Sequence, residues 1–421
     1  MYKKHITGLS VSIAGRPVGN LGADASGRIF FAYDGAWLAN GFDLAPYTMR
    51  FLPGLQAAHD NTFDGLHGPF ADSLPDGWGL LLMDRALKQD PGWAPREITM
   101  LDRLAFIGTR AMGALEYRPE IDVGVEPPFD LARLAADAEL VLEGSRDEVV
   151  RSLVIHGGSP GGARPKVTVA LRESDSACVS GNAPLQPGFE HWLVKFRGKR
   201  EPIDSGRIEK AYAAMAELAG LRMPPTTLID TVVNGVPESY FAVKRFDRRG
   251  AAKIHMLSMS GHLHASHRMP SLDYDAVIAA TARLTQSAVE ARKAFRLMVF
   301  NVLAYNRDDH AKNFAFLRPE SGWTLSPPFD LTMSYGMNGQ HTTAINGSGD
   351  PSRKDVERVA HVADISDAND VLDEVLEATG HWSRLASEFG VTREQTEEIG
   401  EAIESMRAKI GLKTAMKPGR W

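Results

Sequence analysis

The sequence predicts an α+β protein with a strand-rich N-terminal half and a mostly helical C-terminal half. Short alternating apolar runs separated by glycines fill the first 120 residues, a pattern typical of strands joined by turns. Between residues 226 and 247, two strand-like runs flank an Asn-Gly pair, which favours a β-hairpin. From about residue 270 onwards, long apolar runs with helical spacing dominate. Because strands and helices are segregated along the chain, the sequence predicts an α+β class.

The N-terminal region begins with three short strand candidates, LSVSIAG, PVGNLGA and GRIFFAY. The stretch PDGWGLLLMDRAL predicts a turn that leads into a helix. Residues 107–120, IGTRAMGALEYRPE, predict a pair of strands interrupted by glycines. The segment DVGVEPPFD predicts a linker, and the run FDLARLAADAELVLEG has the apolar spacing of an amphipathic helix.

The sequence changes character at about residue 150. VIHGGSPGGARPKVTVAL predicts a glycine-rich loop followed by a strand, HWLVKF a short strand, and GRIEKAYAAMAELAGL a helix that ends at Gly220. The C-terminal runs DVLDEVLEATGHWSRLASEFG and TREQTEEIGEAIESMRAKIG predict two or three amphipathic helices. We therefore expect three domains: a strand-rich subdomain over residues 1–120, a smaller lobe over 121–250 and a helical lobe over 251–421.

Composition indicates an ordinary globular protein. The chain has 421 residues, of which 43% are hydrophobic and 24% are charged. The formal net charge of −6 argues against broad, non-specific nucleic-acid binding, although FRGKREP or VKRFDRRG could form a local basic patch. Cys178 is the single cysteine, so no intramolecular disulfide is expected. With no apolar run typical of a signal peptide or membrane span, we expect a cytoplasmic location and no membrane partner.

The stretch NRDDHAKN, residues 306–313, concentrates ionisable side chains directly after the apolar run FRLMVFNVLAY. Asp308 and Asn313 are five positions apart, the spacing of the catalytic aspartate and the metal-binding asparagine in protein kinases. Asp330 follows in PPFDLTMS, where a kinase would place its second metal ligand, and these oxygen atoms suit magnesium. The alternative is a helix end followed by a solvated polar loop.

The strand-rich half supplies residues suited to a nucleotide. Lys195 lies within the apolar strand HWLVKF, where a buried ammonium group needs an anion such as phosphate. Glu209, on the following helix, could pair with it as in kinases. The loop GGSPGGARPK could bind phosphates through backbone N–H groups, and YFAVKRFDRR could connect two lobes beside an adenine ring. Taken singly, the loop could be a simple turn and Lys195 an edge residue; their order favours a two-lobed protein-kinase-like fold.

A second constellation competes with this hypothesis. The segment HMLSMSGHLHASHR contains four histidines, and histidine clusters can bind zinc. Their spacing matches no standard ligand pattern, so a solvent-facing or substrate-facing loop is favoured. The four residues are His255, His262, His264 and His267.

These motifs together resemble the HipA family of bacterial serine/threonine kinases, the toxins of HipBA-type toxin–antitoxin modules. NRDDHAKNFAFL resembles the family's catalytic loop, and PPFDLTMS resembles its metal-binding segment. SPGGARPKVTVAL resembles its phosphate loop, HWLVKF its ATP-lysine strand, AVKRFDRR its hinge, and LAFIGTRAMGALEYRP with PVGNLG and WLANGF its N-terminal subdomain. The resemblance implies ATP and Mg²⁺ as cofactors, with Asp308 as the base and Asn313 and Asp330 as metal ligands. Catalysis would also use Lys195, and the cofactor-binding residues would be Gly161, Gly162, Ala163, Lys166, Lys195, Glu209, Lys244, Arg245, Phe246 and His310.

The resemblance also implies regulation and partners. Ser159, seven positions before Lys166, matches a serine whose autophosphorylation expels the phosphate loop in the family. A small helix-turn-helix antitoxin would carry DNA binding, and an aminoacyl-tRNA synthetase would be the protein substrate. Two alternatives remain open: a non-catalytic corepressor that acts with its antitoxin, and a small-molecule kinase on the same scaffold. In the catalytic loop, Asp309 would be loop-stabilising or solvated, while His310 and Lys312 would fix the loop or face phosphates.

Overall fold

The computed structural model describes residues 4–58, 60–124, 127–144, 149–157, 160–182, 184–266 and 272–411. The chain divides into two compact units. The first unit comprises Met1–Gly206, Pro224–Ser266 and Ala315–Ser326, and the second comprises Arg207–Met223, His267–Phe314 and Pro327–Trp421. The domain boundaries expected at residues 120 and 250 stay a prediction.

The N-terminal part of the first unit contains an antiparallel sheet with strand order β4-β3-β2-β1-β5. Alternation along the strands buries one face, and Phe31 at its centre is fully buried. The three strands and the helix predicted from the first 90 residues are confirmed. The elements are β1 Gly8–Ile13, β2 Arg16–Ala23, β3 Ile29–Tyr33, α1 Gly35–Asn40, β4 Gln56–Ala57, α2 Gly68–Asp72, α3 Gly77–Gln89, α4 Met100–Ile107 and β5 Leu115–Arg118.

The strand pair predicted over residues 107–120 is wrong, because only β5 forms there and it pairs with β1. The preceding residues belong to α4, whose N-terminus has a reciprocal capping box between Thr99 and Asp102. Gly108 ends that helix with a φ of 55°. The next turn is fixed by a hydrogen bond of 2.8 Å from the Gly113 N–H to the Asp247 carboxylate. The glycines therefore end a helix and shape a turn instead of interrupting a strand.

The rest of the first unit is built around a second antiparallel sheet, with strand order β7-β6-β8-β10-β9. The predicted hairpin is confirmed: Asn234 and Gly235 take φ values of 50° and 83°, which suit a two-residue turn. The segment VIHG, predicted as loop, is the end of a buried helix, so the glycine-rich loop is shorter than expected. The elements in this part of the chain are α5 Leu131–Leu142, α6 Val150–Gly157, β6 Lys166–Arg172, β7 Ala177–Ser180, β8 Glu190–Lys195, α7 Ser205–Leu218, β9 Thr226–Val233, β10 Val236–Lys244, β11 Arg248–Arg249, β12 Ala252–Lys253, β13 His255–Ser258 and α8 Met259–Leu263. Of these, α7 belongs to the second unit from Arg207 onwards.

The second unit is mainly helical, as the sequence predicts, although β15 and β16 below belong to the first unit. Gln286, with a φ of 52°, separates the long apolar run near residue 290 into two helices. The second of these, α10, is buried along most of its length. The elements are β14 Leu272–Asp273, α9 Tyr274–Thr285, α10 Ala288–Leu303, a 3₁₀ turn Ala311–Asn313, β15 Ala315–Arg318, β16 Thr324–Leu325, β17 Thr343–Ala344, α11 Arg353–Val362, α12 Ala368–Thr379, α13 Trp382–Glu388 and α14 Arg393–Gly411.

The histidine-rich segment is buried, so the expectation of a solvent-facing or substrate-facing loop is wrong for His255, His262 and His264. His262 packs against the rings of Phe316 and Trp323, with ring centroids 5.3 and 4.9 Å apart. His267 lies outside the described residues. Within the described ranges, no group of three or more His, Cys, Asp or Glu side chains could hold a metal ion. No helix in the same ranges is long and apolar enough to cross a membrane.

Candidate active site

The predicted catalytic loop follows α10 and lies in the second unit. Buried packing of α10 gives the loop a fixed starting point at Leu303. At its far end, the Asn313 side-chain amide donates a hydrogen bond of 2.7 Å to the backbone carbonyl of Asp308. The Asp308 side chain is exposed, and that of Asn313 is half-buried. The structure therefore brings the predicted pair together, with Asp308 accessible and Asn313 holding its backbone.

Asp308 and Asp330 are close enough to interact electrostatically. Although the Asp308 side chain keeps an exposed surface, partial burial raises its pKa, and the charges of Asp330 and Asp309 raise it further. The charge of His310 acts in the opposite direction. Asp330 is half-buried and has a φ of 57°, a left-handed conformation that few non-glycine residues adopt. The loop therefore gathers carboxylates whose repulsion a cation would relieve.

The residues present fit a magnesium ion. Asn313 uses its amide nitrogen on Asp308, which leaves the amide oxygen as an acceptor. Asp330 supplies a carboxylate, and hard cations such as Mg²⁺ take carboxylate and amide oxygens together with water and phosphate oxygens. This pair would hold the ion with few protein ligands, which is usual for magnesium sites that include a nucleotide.

Asp309 is buried and stabilises the loop, so of the two roles left open for it the solvated one is wrong. Its side chain is 1% exposed. Its carboxylate accepts hydrogen bonds from the Tyr274 hydroxyl at 2.8 Å and from the backbone N–H groups of Thr342 and Thr343 at 2.9 and 3.2 Å. The Nδ1 atom of His341 lies 2.8 Å from the same carboxylate. One buried carboxylate thus joins the catalytic loop to two distant segments.

Two further side-chain hydrogen bonds connect Tyr274, α10 and the start of the catalytic loop. The Asn301 side chain, on α10, donates to the Tyr274 hydroxyl at 3.0 Å, and the Asn306 side chain donates to Asn301 at 2.9 Å. Sequence reasoning missed these supporting residues. A polar asparagine within the apolar run of α10 was the available signal, since buried polar groups need partners.

Arg307, directly before Asp308, contacts the segment after Asp330. Its guanidinium donates to the backbone carbonyl of Gly339 and to Asp350, the latter at 3.2 Å. It also lies over the Tyr305 ring, 4.1 Å from the centroid. Arg307 is 6% exposed, so its side chain is largely shielded from water, whereas Asp350 is half exposed. The catalytic loop is therefore fixed from two sides, by Asp309 and by Arg307.

The predicted phosphate-binding residues lie in the first unit. Lys166 and Lys195 are directly opposite each other on the antiparallel strands β6 and β8, and both are buried, at 5% and 6% exposure. The Lys166 ammonium donates to the backbone carbonyl of Gly161 in the loop before β6. The Lys195 ammonium lies 5.7 Å from the centroid of the Phe241 ring. Because residues paired across two strands lie on the same face of a sheet, the structure brings the two predicted lysines together.

Three other predicted nucleotide-binding residues lie in different surroundings. Glu209 is 2% exposed on α7, and its pairing with Lys195 stays a prediction. Lys244 forms an ion pair with Glu190 at the end of β10. Phe246 is half-buried. Ser159 lies outside the described residues.

The Arg245 side chain forms a buried ion pair with Asp247. Its Nε and Nη2 atoms donate to Asp247 at 2.9 and 2.8 Å, and Arg248 donates to the same carboxylate at 2.8 Å. Burial opposes ionisation of Asp247, but the two guanidinium groups outweigh it and hold its pKa well below the usual range. The Arg245 side chain therefore helps to fix the turn that contains Asp247, and the Arg245 backbone N–H donates to the His191 carbonyl at 2.8 Å.

This fold and these residues define a kinase-like protein. Residues 9–118 match the HipA N-terminal domain, and residues 158–410 match the HipA-like C-terminal domain. The chain belongs to the HipA family, and both the predicted family and the predicted α+β, kinase-like fold class are confirmed.

Relatives and a solved structure agree with this assignment. Two proteins of Sinorhizobium fredii (strain NBRC 101917 / NGR234) are similar in sequence. "Putative kinase Y4dM" is 26% identical over 363 residues, which cover 82% of this chain and 81% of that protein. "Putative kinase Y4mE" is 27% identical over 360 residues, 78% of each. A chain in the complex of the Shewanella oneidensis MR-1 toxin–antitoxin system HipA, HipB and operator DNA shares the fold, with a TM-score of 0.67, 17% identity and 96% coverage of both chains.

Proposed function

We propose that this protein is an ATP- and magnesium-dependent serine/threonine protein kinase of HipA type, the toxin of a toxin–antitoxin system. The geometry around Asp308 carries the proposal: Asp308 is accessible, its backbone is held by Asn313, and partial burial together with the charge of Asp330 raises its pKa. A kinase catalytic loop needs such an acceptor of the substrate hydroxyl proton beside metal ligands. Membership of the HipA family supports the same assignment.

Asp308 orients the acceptor hydroxyl and takes its proton as the phosphoryl group transfers. Partial burial raises its pKa, which favours proton transfer to its carboxylate. Asn313 and Asp330 hold magnesium, which when bound neutralises charge on the phosphate oxygens. His310 counters the carboxylate repulsion around Asp308. Asp309 and its partners keep the loop in one conformation, so that the base stays aligned.

Nucleotide binding is assigned to residues of the first unit together with Glu209. Backbone groups of Gly161, Gly162 and Ala163 form the phosphate loop, and glycine permits a close approach to the phosphates. Lys166 and Lys195 supply positive charge at the phosphates, since both are buried and opposite each other. Lys244, Arg245 and Phe246 form the hinge beside the adenine, and residues 121–250 and 251–421 are the kinase lobes.

Regulation and partners follow from the family. Autophosphorylation of Ser159 would place a dianion among groups that bind ATP phosphates, and like-charge repulsion would release the nucleotide. A HipB-like, helix-turn-helix antitoxin is the proposed partner and would carry the DNA binding, which agrees with the net charge of −6 here. The solved Shewanella oneidensis complex contains HipA, HipB and operator DNA. The proposed substrate is an aminoacyl-tRNA synthetase, whose phosphorylation would stop translation.

A phosphotransfer assay tests the proposal. Purified protein is incubated with γ-labelled ATP, Mg²⁺ and a bacterial lysate, and transfer to serine or threonine is measured for the wild type and Asp308→Asn. We expect the variant to bind nucleotide but to transfer phosphate about 10²–10⁴-fold more slowly. Asp364→Asn, at another exposed aspartate of the second unit, is the matched control. Equal transfer by the wild type and Asp308→Asn would refute the role of Asp308.

Mass spectrometry and a binding assay separate the protein kinase from the two alternative functions. Mass spectrometry after expression should find a dominant serine or threonine phosphosite on a translation enzyme. A tight antitoxin complex without any transfer would favour the corepressor, and ATP turnover without protein labelling would favour a small-molecule kinase.

A further inference from the structure

The turn before α3 holds the phosphate loop by direct backbone contact. The Asp76 carboxylate accepts a hydrogen bond from the Gly162 N–H. The Trp78 N–H donates to the Gly162 carbonyl at 3.1 Å. Both backbone polar groups of Gly162 are therefore bonded to a segment more than 80 residues away in the chain. All of these residues belong to the first unit.

Gly77, between the two bonding residues, allows this close approach. A Cβ atom at Gly77 would lie 2.7 Å from the Gly162 carbonyl oxygen and 2.8 Å from the Ala163 Cα, closer than real contacts of this kind. These neighbours are backbone atoms, which cannot rotate away as the end of a side chain could. Gly77 also has a φ of 43°, in the left-handed region that favours glycine. A side chain at position 77 would thus displace the loop.

Lys166 supports the phosphate loop as well. The Lys166 ammonium donates to the Gly161 carbonyl, one residue before the peptide that Asp76 and Trp78 hold. Gly161 itself approaches Asp76, since a Cβ there would lie 3.2 Å from the carboxylate. Two consecutive glycines are therefore fixed by three side-chain or backbone groups, which leaves the loop little freedom to change shape.

We infer that Asp76, Gly77 and Trp78, named here the loop clamp, position the phosphate loop and thereby set the affinity for the phosphates of a nucleoside triphosphate. This inference rests on the proposed function and adds to it, because it gives the N-terminal part of the first unit a role in nucleotide binding. Asp76 is a positioning residue, since it acts through Gly162. The clamp fixes the loop before nucleotide arrives, which lowers the ordering cost of binding.

A positioning role for Asp76 must be distinguished from competition with nucleotide. A carboxylate at a backbone N–H could stand where a phosphate oxygen would otherwise bind, and would then compete with nucleotide. The two roles predict opposite signs. Removal of a positioning carboxylate weakens nucleotide binding, whereas removal of a competing carboxylate strengthens it. The bond from Trp78 to the Gly162 carbonyl favours positioning, because a competitor would not need to hold the carbonyl as well.

The test compares Asp76→Ala with Asp76→Asn in the full chain. The readouts are the KM for ATP, kcat at saturating ATP, and hydrogen exchange of the loop amides without nucleotide. We expect Asp76→Ala to raise the KM about tenfold, the loss of one hydrogen bond to a charged group, with kcat nearly unchanged and faster exchange. Asp76→Asn keeps an oxygen acceptor and should restore most of the affinity and protection.

Asp34→Ala is the matched control, because Asp34 caps α1 through the Ala36 N–H and does not contact the loop. It should leave the KM and loop exchange at wild-type values. A lower KM in Asp76→Ala, or unchanged KM and exchange, would overturn the inference. If the wild type binds no nucleotide, the proposed function fails and the nucleotide role fails with it, whereas faster exchange in Asp76→Ala would still support the clamp itself.

Discussion

The proposed catalytic loop and the proposed phosphate loop are held in place by different means. In the catalytic loop, the buried carboxylate of Asp309 forms hydrogen bonds with a hydroxyl, a histidine nitrogen and two backbone N–H groups. In the phosphate loop, backbone atoms of Gly162 and Ala163 lie against Gly77, and the Asp76 carboxylate accepts a hydrogen bond from the Gly162 N–H. The first arrangement uses side-chain hydrogen bonds and the second uses glycine-permitted backbone contact.

This difference suits the two steps proposed for the loops, phosphoryl transfer and nucleotide binding. A buried, fully bonded carboxylate is costly to disturb, so the catalytic loop keeps one geometry, which phosphoryl transfer requires. The clamp fixes the backbone of the phosphate loop, and the shape of that backbone sets how tightly nucleotide binds. We therefore expect changes at the first loop to act on kcat and changes at the second to act on KM.

The largest effect should follow from Asp309→Ala. The change leaves the Tyr274 hydroxyl, His341 and two N–H groups buried without their acceptor, at a cost of about 3–5 kcal/mol in the free energy of unfolding. Urea denaturation measures this loss, and phosphotransfer should fall at least 100-fold. Asp308→Ala is the comparison, because Asp308 is exposed and its loss should change stability little. Equal stability of the two variants would show that Asp309 does not support the loop.

Acid should weaken the unit that carries the phosphate loop. Burial lowers the pKa of His67, His191 and His255 to about 4 and of His262 to about 3, and all four lie in the first unit. The unfolded chain binds protons below its histidine pKa of about 6.5, whereas the folded chain does not until near pH 4. Stability is therefore complete above pH 6.5 and is lost as the pH falls below it.

The expected loss between pH 7.5 and pH 5 is about 2 kcal/mol for each fully buried histidine. Denaturation curves at the two pH values measure it, and hydrogen exchange shows which unit opens first. His262→Leu removes one titrating group and should reduce the pH dependence by about that amount. The interpretation would be wrong if the first unit were as stable at pH 5 as at pH 7.5.

A smaller effect is expected from Gly77→Ala, which tests the clamp by steric overlap. The new Cβ would push against Gly162 and Ala163, so we expect the KM for ATP to rise about five- to tenfold, roughly 1–1.4 kcal/mol. Gly27→Ala is the control, since Gly27 has a positive φ of 83° but no atom within 4 Å of its added Cβ. A similar KM for both variants would assign the effect to backbone conformation alone.

The smallest effect should come from Asp350→Asn. Asp350 is half exposed, so its ion pair with Arg307 is screened by water and contributes about 0.2–1 kcal/mol. Arg307 keeps its bond to the Gly339 carbonyl and its position over Tyr305. We expect less than a threefold change in kcat at 0.15 M salt. A loss of tenfold or more would show that this outer contact, and not Asp309 alone, fixes the catalytic loop.

The sequence predicted features whose cause is local. The hairpin at Asn234 and Gly235 follows from turn chemistry, and the pairing of Asp308 with Asn313 follows from a short motif. It did not predict the contacts of Asp309 or of Gly162, because their partners lie more than 30 and more than 80 residues away and no periodic pattern links them.

Glycine patterns and polar clusters also misled the sequence reasoning where burial decided the outcome. The glycines between residues 107 and 120 suggested interrupted strands, but the residues before Gly108 are buried as a helix. The histidine-rich segment suggested an exposed loop, but aromatic rings surround His262. A sequence pattern shows which residue types are present, whereas burial depends on elements that are distant in the chain.

The most direct test measures nucleotide binding and γ-phosphate transfer side by side for Asp308→Ala and Gly77→Ala. If the two loops serve separate steps, Asp308→Ala will bind a fluorescent ATP analogue with wild-type affinity but will not transfer phosphate. Gly77→Ala will bind the analogue several-fold more weakly, yet will transfer phosphate at a near-normal rate when ATP is saturating. Transfer by Asp308→Ala at the wild-type rate, or equal loss of both activities in both variants, would contradict this account.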